Sequence, residues 1–276
     1  MYRLLNIELH KLKHSRSSKI LIITYFVLLT SIALVAAIKF DIGPIQFHLA
    51  EMGIFNFPYV WHFNSYISAL FKLFLAIVIV SMMSNEYSNK TLKQNLIDGL
   101  SKKEFILSKF YTVVLLSLAS TIFLFIVSLI LGLIFSSYTE LSIIFSDLEY
   151  LIAFFIKLVG FFSFCLFLGI LVKRSAFALG FLFVWQFVEG IIFGVLRWNT
   201  NPDIASTIMQ FFPLNAMSNL IKEPFTRLSA VQSVANQIGE KFNFDYAIHW
   251  YEIAIVVGWT ALFIFLSYLL LKKRDL

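Results

Sequence analysis

The amino-acid sequence predicts an all-α integral membrane protein with six transmembrane helices, on three observations. First, 59% of the 276 residues are apolar and 14% are charged, whereas a soluble domain is about 45–50% apolar and about 25% charged. Second, six stretches are long and apolar enough to cross a bilayer core of about 30 Å as helices. Third, the two-residue alternation of barrel strands is absent. This composition excludes a soluble enzyme, a disordered tail and a disulfide scaffold, since Cys165 has no second cysteine to pair with.

Six apolar stretches are predicted as spans, in chain order. They are approximately Ile20–Ile38, Ser65–Ser84, Phe110–Phe135, Tyr150–Val172, Ala176–Leu196 and Ile253–Leu271. The first apolar run, of about 19 residues, exceeds the roughly 7–15 residues of a signal peptide. We therefore expect it to remain in the protein as a span.

Basic residues set the orientation of these spans. Fifteen lysines and arginines fall on the side that carries both termini and the loop Asn85–Lys109, and five fall on the other side. The positive-inside rule therefore places both termini in the cytoplasm. Because topology accounts for the net charge of +6, the bilayer is the expected partner and no nucleic acid is needed to explain it.

Residues 1–19 are predicted to form an interfacial amphipathic helix that precedes a six-helix transmembrane domain over residues 20–276. Tyr2, Leu5, Leu9 and Leu12 are spaced three and four apart and so share one helical face. Such a helix lies in the inner membrane interface. The alternative is a frayed cationic terminus that only enforces the topology.

The cytoplasmic loop Asn85–Lys109 is longer than a simple return across the membrane requires. A short helix is predicted from Thr91 to Ile97, with Leu92 and Leu96 on one face. Asp98-Gly99 then marks a turn. Ser101, with Glu104 three residues later, forms a capping box for the helix of the third span. We therefore expect helix, turn and capped helix, built to be contacted by a partner.

One outer segment, Ile204–Phe212, is apolar but too short to span the membrane. It is predicted to be re-entrant or interfacial and to end at Pro213, because proline breaks a continuing helix.

No residues of a catalytic, cofactor or metal site are predicted. The sequence contains no HExxH, GxSxG or GxxxxGK[ST] motif. His10 and His14 are four residues apart, but no third ligand follows them. The chain is therefore not expected to be an enzyme, and any ATP hydrolysis must take place on another polypeptide.

Three charged residues fall inside predicted spans, where charge is costly and often functional. Lys72, Lys157 and Glu189 each lie about seven residues from the outer end of a span, or roughly 10 Å deep. The lysines either pair with Glu189, which would tie helices together or line a polar cavity, or extend to the outer headgroups. Gly190 and Gly194 form a GxxxG motif that favours close helix packing, within the chain or between two chains.

The whole chain resembles the membrane subunit, or permease, of bacterial ABC-2 type transporters, in particular the bacteriocin and lantibiotic-immunity group. Its N-terminal segment is similar to the elbow helix with which that family opens. The first cytoplasmic loop fills the family positions for a glutamate, a threonine, a leucine-rich helix, a serine and basic pair and a final lysine. These residues are Glu86, Thr91, Leu92, Leu96, Ser101, Lys102 and Lys109. The departures are Asp98-Gly99-Leu100 at a turn that usually contains proline, Lys90 at a common glycine and Lys102 at a common arginine.

The resemblance implies a permease that pairs with a second permease subunit, identical or not, above two ABC ATPase subunits that carry ATP and Mg. The loop would be the coupling helix, with Leu92 and Leu96 entering an apolar cleft of the ATPase. The complex would export an amphipathic or peptide-like substrate across the bacterial cytoplasmic membrane. Two alternatives stay open: an ion- or proton-coupled transporter with Lys72, Lys157 and Glu189 as a relay, and a membrane scaffold that transports nothing.

Overall fold

The computed structural model describes residues 2–37, 39–42, 45–48, 53–228, 231–232 and 245–274. Within these residues the chain is helical apart from one antiparallel hairpin, in which β1 (Lys39–Ile42) pairs with β2 (Ile45–His48). The helices are α1 (Tyr2–His14), α2 (Arg16–Ala37), α3 (Tyr59–Leu70), α4 (Lys72–Ser88), α5 (Thr91–Ile97), α6 (Lys102–Phe135), α7 (Leu141–Ile144), α8 (Glu149–Val172), α9 (Ser175–Asn199), α10 (Pro202–Met209), α11 (Pro213–Asn219) and α12 (Trp250–Lys273). The sequence analysis did not predict the hairpin.

The helices make the chain a multi-pass membrane protein. In the described residues four segments are long and apolar enough to cross a membrane by themselves: α6, α7 with α8, α9 and α12. Two further candidates are bent pairs, α1 with α2 at 89° and α3 with α4 at 46°. If each bent pair counts as one span, the number of spans rises to as many as six.

The second predicted span is not one straight helix. It begins earlier, at Tyr59, and breaks at Phe71, directly before Lys72. The amide of Phe71 donates to Ser68 O at 3.1 Å, and the amide of Phe74 donates to Phe71 O at 3.1 Å. Bonds that reach back three residues instead of four tighten the turn, and this produces the bend.

The helix α8 is the centre of the bundle, whereas α9 lies at its edge. Seventeen of the 24 residues of α8 are buried, but only three of the 25 residues of α9 are. Gly160 explains one close approach to α8, because a Cβ atom there would lie 2.9 Å from the side chain of Val256 on α12. The buried face of the bundle is therefore organised around α8.

The segment after α9, predicted to lie on the outer side, forms two short helices. The stretch Ile204–Phe212 falls in α10 and the turn that follows it, and α11 begins at Pro213. Proline suits the first position of a helix, where its missing N–H would have no partner in any case. The next turn is tied to the bundle by Arg227, whose Nη1 lies 3.1 Å from Nδ1 of His62 on α3. The helix α11 itself packs against α8, α9 and α12.

Candidate functional site

A buried cluster of charged side chains lies where α1, α4, α5 and α6 meet. Its centre is Lys109, in the third turn of α6, whose side chain is 0% exposed. Nζ of Lys109 lies 2.6 Å from Oε2 of Glu8 on α1 and 2.6 Å from Oε1 of Glu86 in the last turn of α4. A charge removed from water is tolerated only with such partners. The lysine therefore fixes α1 and α4 against α6.

Glu86 completes the links among the four helices. Its Oε1 also accepts a hydrogen bond from Nζ of Lys11 on α1 at 2.7 Å, and its Oε2 accepts one from the hydroxyl of Thr91 on α5 at 2.6 Å. Burial alone would lower the pKa of Lys11, but the hydrogen bond to Glu86 and the charges of both carboxylates raise it above its ordinary value. The ion cluster, defined as Glu8, Lys11, Glu86 and Lys109, thus contains two negative and two positive side chains.

The helix α5 is anchored by its first turn and presents a different face from the predicted one. Leu92 is 2% exposed and packs inside the chain, and Leu96 is half-buried against the same core. The prediction that Leu92 and Leu96 enter a cleft of a partner is therefore wrong for Leu92, since its side chain is already covered. The accessible face of α5 carries Lys93, Gln94 and Ile97, of which Ile97 is 70% exposed.

The predicted capping box at Ser101 is confirmed. The Ser101 hydroxyl accepts a hydrogen bond from the Glu104 amide at 3.1 Å, and a carboxylate oxygen of Glu104 accepts one from the Ser101 amide at 3.0 Å. This arrangement satisfies amides that the first turn of α6 would otherwise leave open. Lys102, the first residue of α6, does not extend into solvent, because its Nζ donates to Arg274 O at 3.0 Å.

Sequence reasoning missed the contribution of α1 to the ion cluster. The predicted face of Tyr2, Leu5, Leu9 and Leu12 omits Glu8, which is buried at the centre of the contact with α6. A signal was present, because Glu8 is the one acidic residue among the first 40. A single carboxylate in a basic amphipathic helix indicates a buried partner rather than a contact with headgroups.

Glu189 is buried, at 3% exposed, and its partners are N–H groups rather than a lysine. Its carboxylate accepts hydrogen bonds from the amides of Leu214 at 3.1 Å and Asn215 at 2.8 Å, in the first turn of α11. A third comes from Nε1 of Trp185, one turn earlier on α9, at 2.7 Å. The carboxylate therefore caps α11, where the unpaired amides favour negative charge.

The two lysines in the membrane also differ from the predicted arrangement. Lys157 is buried and donates to Ser218 O, near the end of α11, at 3.1 Å, so it does not extend to the headgroups. Nζ of Lys72 lies 4.3 Å from the centroid of the Phe161 ring. In the described part of the chain neither lysine forms a salt bridge with Glu189. The contacts among the described residues therefore do not connect Lys72, Lys157 and Glu189 into a relay.

The glycines of the GxxxG motif do not form a close packing contact within the chain. A Cβ atom added at Gly190 or Gly194 would meet no heavy atom within 4 Å. The open face also includes Phe183 and Phe187, which are exposed. Among the described residues, the contact that this motif favours is therefore not made by another helix of the same chain.

The long apolar helices define a multi-pass membrane protein, and its bundle holds the short helix α5 with one face accessible. Over residues 5–276 the sequence matches the model of the family described as ABC-2 family transporter protein, and the chain belongs to this family. Its members are membrane components of ABC exporters, which confirms the family resemblance. No curated protein matches the sequence.

Proposed function

We propose that the chain is the permease subunit of an ATP-driven exporter in the cytoplasmic membrane of a bacterium, with six spans and both termini inside. Two ABC ATPase subunits on separate chains would bind α5 and carry ATP and Mg, and a second permease would complete the channel. The cargo would be amphipathic or peptide-like. The observation that carries the proposal is the ion cluster, which joins α5 to α1, α4 and α6 and leaves one face of α5 accessible.

The ion cluster supports a mechanical role for α5. Thr91 and Leu92 anchor α5 on its buried side. A force applied to the accessible face of α5 is therefore transmitted through Thr91 to Glu86, and from Glu86 to Lys109. A cleft of about 410 Å³ opens between α1 and the turn that precedes α6, with Asn95 as its lining residue from α5 and Ile7 and Leu100 among the others. A polar or charged side chain of the ATPase would fit there, because most of the lining residues are polar or charged, among them Arg3, Asp98 and Glu104.

The docking of the ATPase is tested at Ile97. We expect Ile97→Asp to weaken binding of the ATPase encoded in the neighbouring reading frame by about 10- to 100-fold, because burying an isoleucine contributes roughly 1.5–3 kcal/mol. Leu141→Asp is the matched control, since Leu141 is 71% exposed and is expected on the outer side. The measurement is the affinity of the ATPase for each purified permease. Equal affinities for both variants would remove α5 as the docking helix.

The orientation is tested by labelling cysteines from outside intact cells. Asn199 and Asn89 are both exposed at helix ends, and the native Cys165 is buried. We expect a cysteine at position 199 to react and one at position 89 to be spared, because the positive-inside rule places Asn89 in the cytoplasm. The reverse pattern would refute both the orientation and the docking of an ATPase at α5.

A second permease is proposed to cover the open face of α9. Support comes from the few buried residues of α9 and from Gly190 and Gly194, where two helix backbones could approach closely. Oxidation of Gly190→Cys in membranes is expected to give cross-linked dimers, whereas Leu262→Cys on α12 is expected to stay monomeric. Equal cross-linking at both positions would show that random collisions, not an interface, produce the dimer.

A further inference from the structure

A second set of contacts ties together the cytoplasmic ends of helices that the ion cluster does not reach. Arg274 follows α12, and its guanidinium donates hydrogen bonds to Ile170 O and, at 3.0 Å, to Leu171 O at the end of α8. The same guanidinium donates to the hydroxyl of Tyr87 in the last turn of α4 at 3.2 Å. One side chain thus joins the ends of three helices.

The end of α12 is itself held by the segment that leads out of α5. Nζ of Lys102, at the start of α6, donates to Arg274 O at 3.0 Å and approaches Lys272 O at 3.4 Å. The contacts therefore run in series from α6 through α12 to α8 and α4. Each of them except the tyrosine contact places a cation at the last carbonyls of a helix, where the helix dipole favours positive charge.

The geometry makes Arg274 specific rather than interchangeable with any cation. A guanidinium presents five N–H donors in a planar fork, so it serves two carbonyls and a hydroxyl at once, whereas an ammonium is a point charge. The ammonium group of Lys173 also lies over the ring of Tyr87, 5.5 Å from the ring centroid. If α4 separates from α12 at this end the bond to Tyr87 must break, and if α8 separates the bonds to Ile170 O and Leu171 O must break.

Tyr87 follows Glu86 directly in the chain, so the ion cluster and the Arg274 contacts meet in the last turn of α4. The ion cluster connects α5 with α1, α4 and α6, and the Arg274 contacts connect the same region with α8 and α12. The helix α8 is the most buried of the bundle. Arg274 therefore provides a hydrogen-bonded link between the α5 region and the centre of the bundle, in addition to the direct packing of α4 and α6 against α8.

We infer that Arg274 is a positioning residue that makes α8 and α12 follow the movement of the segment from α5 to the start of α6. This inference rests on the proposed function of α5 as the helix that receives the ATPase. In the described residues the hydrogen bonds of Arg274 reach α4, α6 and α8 and not α5, so its loss separates transmission from docking.

The experiment measures transmission with two spin labels at the outer end of the bundle. They are placed at Leu141, which leads into α8, and at the exposed Trp198 on α9, with Cys165→Ala as the background. The purified complex of permease and neighbouring ATPase is placed in lipid nanodiscs. The distance between the labels is measured without nucleotide and with ATP and Mg, and the affinity of the ATPase is measured in parallel.

In the wild type we expect the distance between the labels to change when ATP and Mg are added. In Arg274→Gln we expect this change to be lost. The affinity of this variant for the ATPase is expected to stay within about twofold of wild type, because Arg274 and the docking face of α5 are separate sites. Arg274→Lys keeps the charge but not the fork and is expected to recover part of the change. Lys273→Gln, at an exposed neighbouring position, is expected to behave as wild type. If Arg274→Gln does not fold, Tyr87→Phe, which removes only the hydroxyl contact, is expected to reduce the change.

Two results would overturn the inference while the proposed function stands. The first is a full distance change in Arg274→Gln or, if that variant does not fold, in Tyr87→Phe. The second is a loss of ATPase binding by Arg274→Gln that matches its loss of the distance change. Failure of the wild type to bind the ATPase or to respond to ATP would instead refute the proposed function, and the inference with it.

Discussion

Lys109 and Lys157 are both lysines buried between apolar helices, but their surroundings differ. Lys109 lies between the carboxylates of Glu8 and Glu86, each at 2.6 Å. Lys157 donates to one backbone carbonyl, Ser218 O, and in the described residues it has no salt bridge. The first lysine neutralises charges that come from two other helices, whereas the second meets the end of a single short helix.

The difference shows two ways in which a membrane protein uses a buried charge. A pair of opposite charges on separate helices fixes the positions of those helices, and removing one partner leaves the other uncompensated. A charge at a helix end satisfies groups that carry only partial charges, as Glu189 does at the start of α11. The first arrangement is suited to passing on force, and the second to holding one segment in place.

The largest effect is expected for Lys109→Met, which leaves the two buried carboxylates of Glu8 and Glu86 to share Lys11 as the remaining cation of the ion cluster. Breaking a buried ion pair from one side costs about 3–5 kcal/mol. The measurement is the free energy of unfolding from a titration of sodium dodecyl sulfate into mixed micelles. Lys103→Met, at an exposed position on the same helix, is the control and is expected to stay close to wild type.

The double variant Glu8→Gln/Lys109→Met sharpens this result. It removes one charge of each sign and leaves Glu86 with Lys11, which lies 2.7 Å away. Residues in one network do not contribute additively, so the double variant is expected to be more stable than Lys109→Met alone. If the double variant is less stable than the single one, the lysine is held by packing rather than by the carboxylates.

The next effect is expected for Glu189→Gln. The amide keeps one oxygen but replaces the other with a donor that faces the N–H groups of α11, so at least one buried amide loses its acceptor. Such a loss costs about 1–3 kcal/mol. Glu149→Gln, at the exposed start of α8, is expected to change little. Equal unfolding free energies for the two variants would show that the cap does not stabilise the segment.

A smaller effect is expected for Trp185→Phe. This change removes the Nε1 donor to Glu189, but the carboxylate keeps the amides of Leu214 and Asn215. One hydrogen bond contributes about 1 kcal/mol net. Trp198→Phe, at a fully accessible ring, controls for the change in ring size. A loss for Trp185→Phe as large as that for Glu189→Gln would mean that the indole, not the backbone, holds the carboxylate.

The sequence predicted the parts of this site whose signals are local. Ser101 and Glu104 are three residues apart in a recognisable pattern, and they form the expected capping box. The short helix predicted from Thr91 to Ile97 is α5, with the same bounds. The composition of each stretch likewise predicted helices that are apolar and long enough to cross a membrane.

The remaining contacts could not be predicted because their partners are distant or carry no residue-type signal. Glu8 and Lys109 are 101 residues apart in the chain, and spacing does not show which lysine a carboxylate meets. Glu189 was expected to bond to a lysine, but it bonds to backbone amides, which every residue except proline offers. The break at Phe71 depends on hydrogen bonds within one turn rather than on a glycine or proline.

The smallest effect is expected for Lys157→Met, the same substitution as at Lys109. Methionine fills a similar space with an apolar, flexible side chain, and the change removes one bond to Ser218 O while it also removes the cost of burying an amine. These two contributions oppose each other, so the free energy of unfolding is expected to stay within about 1 kcal/mol of wild type. When Lys157→Met and Lys109→Met are measured under the same conditions, their difference gives the contribution of the opposite charges around a buried lysine to the free energy of unfolding. A loss at Lys157 as large as that at Lys109 would mean that Lys157 is bound to a charge of its own, and the contrast between the two lysines would then disappear.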